Sequence, residues 1–365
     1  MLWIYLVPVV VAINCVYYVL FSRMAFHKHN DRGEKQNFPV SLIVCAKNES
    51  DNLSKHIPLW LRQDHPKLEL ILINDASSDE TPEVMNSFAQ KDPDRVSVVH
   101  VKNNEAFWGN KKYALTLGIK RAKSRRMIFT DADCRPASDQ WISTMAEQFS
   151  TEKQLVLGYG GYEKEKGLLN GLIRFETLMT AVQYFSYALA GIPYMGVGRN
   201  MGYTSNLYYA NNGFMSHIQL PSGDDDLFVN QAATGKNTTV CLAPEAFTYS
   251  VPKKTFSDWI QQKRRHITTS KEYKPLHKFL LGLFYLSSLS FWVLAPLALI
   301  LGDWKFVLPV VILRFVLQYV IIGRAAARLK EQSLIPAIPL WELFLVFIQM
   351  TIFISNTVSK PTRWK

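Results

Sequence analysis

Cysteine is scarce in this 365-residue chain, and none of it is paired. The four residues (Cys15, Cys45, Cys134 and Cys241) stand far apart with no CxxC among them. That excludes a zinc ribbon, a thioredoxin-type redox motif and a disulfide scaffold. Charge is missing from long stretches: residues 1–22 and 279–301 carry none. Acidic residues are outnumbered, 30 Asp and Glu against 41 Lys and Arg, so the formal net charge is 41 − 30 = +11. The low hydrophobicity that marks disordered chains is also absent, because 48% of residues are hydrophobic.

The uncharged stretches define the ends of the chain. Residues 1–22 reach the ~20 residues needed to cross a bilayer core. Basic residues follow that run (Arg23, His27, Lys28, Arg32) rather than precede it. The order fits a retained transmembrane helix over 1–23, not a cleaved signal peptide. Flanking positive charge places the N-terminus outside and the bulk of the chain in the cytoplasm. Residues 278–356 hold about three further apolar runs: 279–301, 306–322 (interrupted by Arg314) and 334–354 (containing Pro336, Pro339 and Glu342). The last run reads either as a span or as a Pro-broken hairpin, since four crossings leave the basic tail at 360–365 on the outside. Arg314 and Glu342 read either as functional groups or as helix-to-helix partners. Trp3, Tyr273, Trp304, Trp341 and Trp364 suit interfacial belts. Much of the +11 lies beside the spans, so it calls for membrane lipids rather than nucleic acid. Lys263 and Arg264 in particular are expected to meet anionic headgroups.

The middle, residues 38–277, has a different pattern. Short apolar runs at 40–46, 68–73, 96–101 and 127–130 alternate with helix-like segments at 52–62, 81–90, 111–122 and 140–149. This predicts an α/β fold with a mostly parallel sheet covered on both faces. Ligands in such sheets bind beyond the carboxyl ends of the strands. Those ends are polar and acidic here: Lys47-Asn48-Glu49, then Asn74-Asp75 through Asp79, then Asp131-Ala132-Asp133. In extended chain, Asp131 and Asp133 point to one side. Two such carboxylates repel unless a cation lies between them or one is protonated. Hard Mg²⁺ or Mn²⁺ suits them and bridges carboxylates to phosphates. Residues 168–190 are apolar at helical spacing and read as an interfacial helix or a core helix. Cys134 reads as a small buried residue, and His56 and His100 have no ligand spacing.

Taken in order, these segments resemble the family-2 glycosyltransferases of the GT-A fold, in their membrane-bound branch related to cellulose and hyaluronan synthases. The segments are SLIVCAKNES, NDASSDET, GNKKYAL, TDADC, GVGRN, SGDDDLF and QKRRH. The resemblance implies a GT-A-like, Rossmann-like domain and an enzyme that transfers sugar from a nucleotide sugar, a UDP-sugar by expectation. Ala46 and Glu49 would line the nucleotide pocket, and Asp75 would bond the base. Asp79 and Lys111 would lie near the ribose or diphosphate. Asp131 and Asp133 would contact the diphosphate, Asp133 through Mg²⁺ or Mn²⁺. The general base would be Asp225 or Asp224, depending on whether Gly223 or Leu227 sets the alignment, with Asp225 preferred. Asp226 would start the next helix. Asn200, Gln262, Arg265 and His266 would serve the acceptor or diphosphate. A single in-line displacement would invert the anomeric centre. His266 stands where processive synthases have Trp, and three C-terminal spans are few for a polymer pore. The expectation is therefore a non-processive transferase acting on a lipid-linked or polysaccharide acceptor at a bacterial-type inner membrane. A processive synthase and an inactive membrane scaffold or sensor are the alternatives.

Overall fold

The computed structural model describes residues 6–28, 38–102, 111–220 and 222–359. Residues 1–5 with Trp3, Arg32, the Gly109-Asn110 start of GNKKYAL, and the tail 360–365 with Trp364 lie outside the described residues. The chain runs α1 (Leu6–Ala25), β1 (Val40–Ala46), α2 (Ser50–Leu61), β2 (Leu68–Asn74), α3 (Thr81–Lys91), β3 (Val96–His100), α4 (Lys111–Arg121), β4 (Arg126–Asp131), β5 (Cys134–Pro136), α5 (Trp141–Ala146), β6 (Leu155–Leu157), β7 (Gly160–Tyr162), α6 (Leu168–Leu189), β8 (Met201–Thr204), α7 (Ser205–Ala210), α8 (Asp226–Ala232), β9 (Thr238–Val240), β10 (Thr248–Ser250), α9 (Phe256–Ile267), α10 (Pro275–Leu301), α11 (Trp304–Arg328) and α12 (Ile338–Val358). It divides into two compact units. One comprises Met1–Lys28, Lys164–Ala190 and Lys253–Thr362; the other comprises His29–Glu163 and Gly191–Pro252. The span 38–277 read from the sequence thus also takes in α6 and α9, which cluster with the long apolar helices.

The α/β unit is built on a seven-stranded sheet of order β3-β2-β1-β4-β8-β6-β9, with a small sheet β5-β10-β7 beside it. Strands β3, β2, β1 and β4 are mutually parallel, as the alternation of apolar runs and helices predicts. Apolar residues cover both faces. Leu42, Val44, Leu70 and Leu72 are fully buried with Ile57, Trp60 and Trp141 in one cluster. Ile43 and Ile73 lie on the opposite face under α4. There a Cβ on Gly118 would fall 2.3 Å from Ile73 Cδ1, so a larger residue would force the Ile73 side chain to move. Strand order turns back at β1, between β2 on one side and β4 on the other, which is where open α/β sheets bind ligands. Strand β8 runs antiparallel to β4, pairing Phe129 with Met201. It therefore enters the sheet at the carboxyl edge of β4 and delivers the GVGRN segment to that same edge.

Among the described residues, the helical unit contains four helices long and apolar enough to cross a membrane: Leu6–Ala25, Pro275–Leu301, Trp304–Arg328 and Gln332–Val358. The last run is not a hairpin. Pro336 falls in a 3-10 turn over Gln332–Ala337, and Pro339 sits in the first turn of an unbroken α12. Proline is tolerated at position 339 because no helical N–H is lost in the first turn. Arg314, fully buried, is satisfied from three helices. Its Nη2 donates to Glu342 Oε1 at 2.9 Å and Oε2 at 2.7 Å, its Nε to Asn14 Oδ1 at 2.8 Å, and its Nη1 to Gln318 Oε1 at 3.3 Å. The indole of Trp292 adds a hydrogen bond to Glu342 at 3.0 Å, and the guanidinium lies 3.9 Å from the Phe291 ring centroid. Arg314 and Glu342 are thus helix-to-helix partners. Helix α6 buries most of its length and packs on α1 and α12. Of the aromatic residues read as an interfacial belt, Trp304 is exposed, whereas Tyr273 is buried and Trp341 packs against Gly171. Lys263 and Arg264 do not reach for headgroups. Lys263 pairs with Glu176 at 2.5 Å, and Arg264 donates to Asn356 Oδ1 at 2.8 Å and to the Ser359 carbonyl at 2.6 Å.

Candidate active site

Three parallel strands end in register at one edge. Ala46 pairs with Asn74 and Cys45 with Asp131, so the residues after β1, β2 and β4 share one rim. The Asp75 N–H donates to the Ala46 carbonyl at 2.9 Å, which fastens the first two ends together. Asn74 is buried; its Oδ1 accepts from the Ser77 N–H at 3.0 Å and its Nδ2 meets His100 at 3.3 Å. It shapes the turn that presents Asp75. Burial raises the Asp75 carboxyl above its ordinary pKa against the pull of Lys47 and Lys111. Asp79 accepts from the N–H groups of Ser50 (3.3 Å) and Thr81 (3.1 Å), bracing the starts of α2 and α3. Its slight burial acts upward, but these bonds from Thr81 and Ser50 bring its pKa below the ordinary value. Glu49 accepts from Asn52 Nδ2 at 2.6 Å.

Lys111 is the hub of the site. Its Nζ lies 2.7 Å from Asp131 Oδ1 and 3.0 Å from Asp224 Oδ2, and 25% of its side chain is open to solvent. A cation in the first described turn of a helix opposes the helix dipole, so the two carboxylates make the position tenable. Burial works against the ammonium, but Asp131 and Asp224 outweigh it and hold its pKa well above the ordinary value. Asp131 is correspondingly lowered: burial pushes it up, and Lys111 more than reverses that. Asp133 is raised, by burial first and by Asp131 second, with Arg199 opposing.

Ligand atoms of Asp131, Asp133 and Cys134 lie within 4.8 Å of one another. Two hard carboxylates this close, with Asp133 raised by its neighbour Asp131, fit Mg²⁺ or Mn²⁺. Cys134, buried and with its thiol pKa driven well up by burial and by Asp133, stays protonated and adds no soft ligand.

The acidic triplet lies at the start of α8. Asp226 opens α8, its Oδ1 accepting from the Leu227 N–H at 2.7 Å. Asp225 caps that helix: Oδ1 accepts from the Asp226 N–H at 2.8 Å and Oδ2 from the Gly198 N–H at 2.8 Å. Burial, then Asp224, then Asp226 push its carboxyl up to about 7. Gly223 holds φ +101° with Leu227 packed where a Cβ would stand, so the triplet turns on a residue that has to be glycine.

Asn200 is fully buried. Its Nδ2 donates to the carbonyls of Tyr159 (2.9 Å) and Ala246 (2.7 Å), and its Oδ1 accepts from Trp141 Nε1 at 3.0 Å. It locks the loop, while its neighbour Arg199 is the residue facing the carboxylates. The Arg199 guanidinium lies over the Tyr162 ring at 4.3 Å and donates to the Gly161 carbonyl at 3.3 Å. Gln262, Arg265 and His266 stand on α9 in the helical unit. Three contributors escaped the sequence reading. Arg199 was passed over for its neighbour. His56 Nδ1, at 2.9 Å, donates to the Ala132 carbonyl inside the Asp131–Asp133 turn. Lys112 is buried beside Lys111. Only the doubled lysine hinted at the last, and nothing in the spacing pointed to His56.

A mostly parallel α/β sheet that gathers two acidic pairs at its switch point is the architecture of a GT-A glycosyltransferase. Residues 41–199 match the family described as Glycosyl transferase family 2. Among curated proteins, the chain is similar to 4,4'-diaponeurosporenoate glycosyltransferase of Staphylococcus aureus, 25% identical over 169 residues. That match takes in 45% of this chain and 42% of the relative, so the chain spans under half the length of the curated relatives it matches. Among solved structures, it is similar to the mannosyltransferase PcManGT from Pyrobaculum calidifontis in complex with GDP-Man and Mn²⁺. The TM-score is 0.58 at 18% identity, covering 93% of this chain and 99% of that one, which speaks for a shared fold.

Proposed function

We propose that the chain is an inverting, metal-dependent glycosyltransferase. It moves one or a few sugars from a nucleotide sugar, by preference a UDP-sugar, to a membrane-associated lipid-linked or polysaccharide acceptor. The single observation that carries this reading is Lys111 bridging Asp131 and Asp224, which joins the diphosphate side of the site to the acceptor side across less than 6 Å. Ala46, Glu49 and Asp75 receive the nucleoside, and Asp79 supports the turn beneath it. Asp133, with Asp131 beside it, would hold Mg²⁺ or Mn²⁺ at the diphosphate, and the ion would supply Lewis-acid neutralisation of leaving-group charge. Lys111 and Arg199 bring further positive charge to that group. Asp225 takes the proton from the acceptor hydroxyl. A carboxylate with a pKa near 7 is matched to that task at neutral pH, and its two backbone N–H bonds aim it.

Gln262, Arg265 and His266 act on the acceptor or diphosphate side. The apolar helices serve as a platform in a bacterial-type inner membrane with the α/β unit in the cytoplasm, where nucleotide sugars and reducing conditions suit four free cysteines. The fully satisfied Arg314 network favours a non-processive enzyme over a processive synthase, because it occupies the interior of the helices with paired groups instead of a polar passage. The test is a panel of nucleotide sugars with the full chain in detergent, read as Mn²⁺-dependent turnover and thermal stabilisation. A long polymer from labelled donor would exclude the non-processive reading, and no turnover or stabilisation with any donor would exclude the enzyme.

A further inference from the structure

Lys112 is 1% exposed and sits next to the hub residue. Its Nζ donates to three backbone carbonyls: His217 at 2.9 Å, Leu220 at 2.7 Å and Ser222 at 2.6 Å. All three belong to the segment that leads into Gly223 and the acidic triplet. Three carbonyl oxygens converging on one point repel one another, and buried carbonyls left without a donor are costly. An ammonium satisfies them because it is compact and carries three donors, whereas the planar fork of arginine cannot meet three oxygens around one atom. The segment is thus gathered around a buried lysine. Downstream, the triplet is pinned a second time by the Gly198 N–H on Asp225. Between the two pins lies Gly223, whose backbone would otherwise swing freely.

From this geometry we infer that Lys112 is a positioning residue: it holds the 217–222 segment so that Asp224 meets Lys111 and Asp225 faces the reacting hydroxyl. The first turn of α4 then sets both halves of the site, Lys111 through charge and Lys112 through backbone. This inference rests on the proposed role of Asp225.

The experiment uses the full chain in detergent, comparing wild type with Lys112→Met and Lys112→Arg. Hydrogen–deuterium exchange is read by peptide, and turnover is measured with UDP-glucose, UDP-N-acetylglucosamine and GDP-mannose in Mn²⁺. In Lys112→Met, amides of 214–226 are expected to exchange at least tenfold faster, with β1, β2 and β4 unchanged. The kcat on the best donor is expected to fall at least 30-fold with its KM within threefold. Lys112→Arg, which keeps the charge and most of the volume, is expected to recover the melting temperature but less than a tenth of the kcat. Unchanged exchange at 214–226 overturns the inference, as does loosening of the whole sheet or full rescue of kcat by arginine. If wild type turns over none of the donors, the functional reading fails, and the exchange data alone decide what Lys112 holds.

Discussion

Replacing Asp225 by Asn should stabilise the protein at alkaline pH while abolishing its activity. In the fold the carboxyl is pushed up to about 7 by burial, Asp224 and Asp226, against an ordinary value of 3.8. Because the folded value is raised, the contribution to stability is fully present below about pH 4. It is lost as pH rises through about 7, since the unfolded chain ionises first. Each pH unit in that window removes ~1.4 kcal/mol, giving ~4 kcal/mol in all. Solvent at the partly open side chain reduces this to ~2 kcal/mol. An amide cannot ionise, but it offers one accepting oxygen where the carboxyl offers two to the N–H groups of Gly198 and Asp226, so Asp225→Asn gives up ~1 kcal/mol and should melt slightly below wild type near pH 4. At pH 8 the net gain of ~1 kcal/mol should raise its melting temperature by about 2–4 °C. Differential scanning fluorimetry across pH 4–9 would follow this. In parallel, wild-type kcat/KM should rise tenfold per pH unit up to about 7 and then level, and the variant should lose ~10²–10⁴ of it. An Asn variant that melts below wild type at pH 8, or that keeps its activity, would refute the assignment of both the strain and the base to Asp225.

Other substitutions separate the remaining parts. Lys111→Met leaves Asp131 and Asp224 facing each other without their cation. Removing one member of such a pair costs ~3–5 kcal/mol when buried, less here because a quarter of the lysine is exposed; turnover should fall ~100-fold, with Mn²⁺ dependence retained. Asp133→Asn should abolish Mn²⁺-dependent UDP binding, measured by calorimetry, and leave the melting temperature at neutral pH unchanged or higher. In the helical unit, Glu342→Gln strands Arg314 and should lower the detergent melting temperature far more than the double change Arg314→Leu with Glu342→Leu. A double variant as unstable as the single one would show that the pair itself, not the unpaired charge, matters.

The parallel core of the fold could be read from the sequence because apolar runs of strand length allow little else. The observed β1 and β2 fall within a residue of the runs at 40–46 and 68–73. The rim residues followed from that, since the carboxyl end of each strand is fixed once the strand is. Strands β5 to β10, three or four residues each, carry no such signal; long-range pairing makes them. The same distinction runs through the site. Asp131 and Asp133 announce themselves by spacing, whereas Lys112, His56 and Asn200 act on backbone carbonyls far along the chain, and no local pattern encodes a partner 76 or 105 residues away. Lys263 and Arg264 resemble headgroup-binding residues until Glu176 and Asn356 come within reach.

The Arg314 crossbar also turns the order of the chain into an order of assembly. A lone arginine at the middle of a membrane helix costs ~2.5–3.5 kcal/mol to insert. When α11 emerges during synthesis, Asn14 has existed for 300 residues, but Glu342 is still 28 residues from being made. The first helix, through Asn14, and the Phe291 ring of α10 are therefore the early hosts for that guanidinium, and the last helix brings the countercharge that completes it. Until residue 342 is made, that guanidinium has no countercharge among these partners.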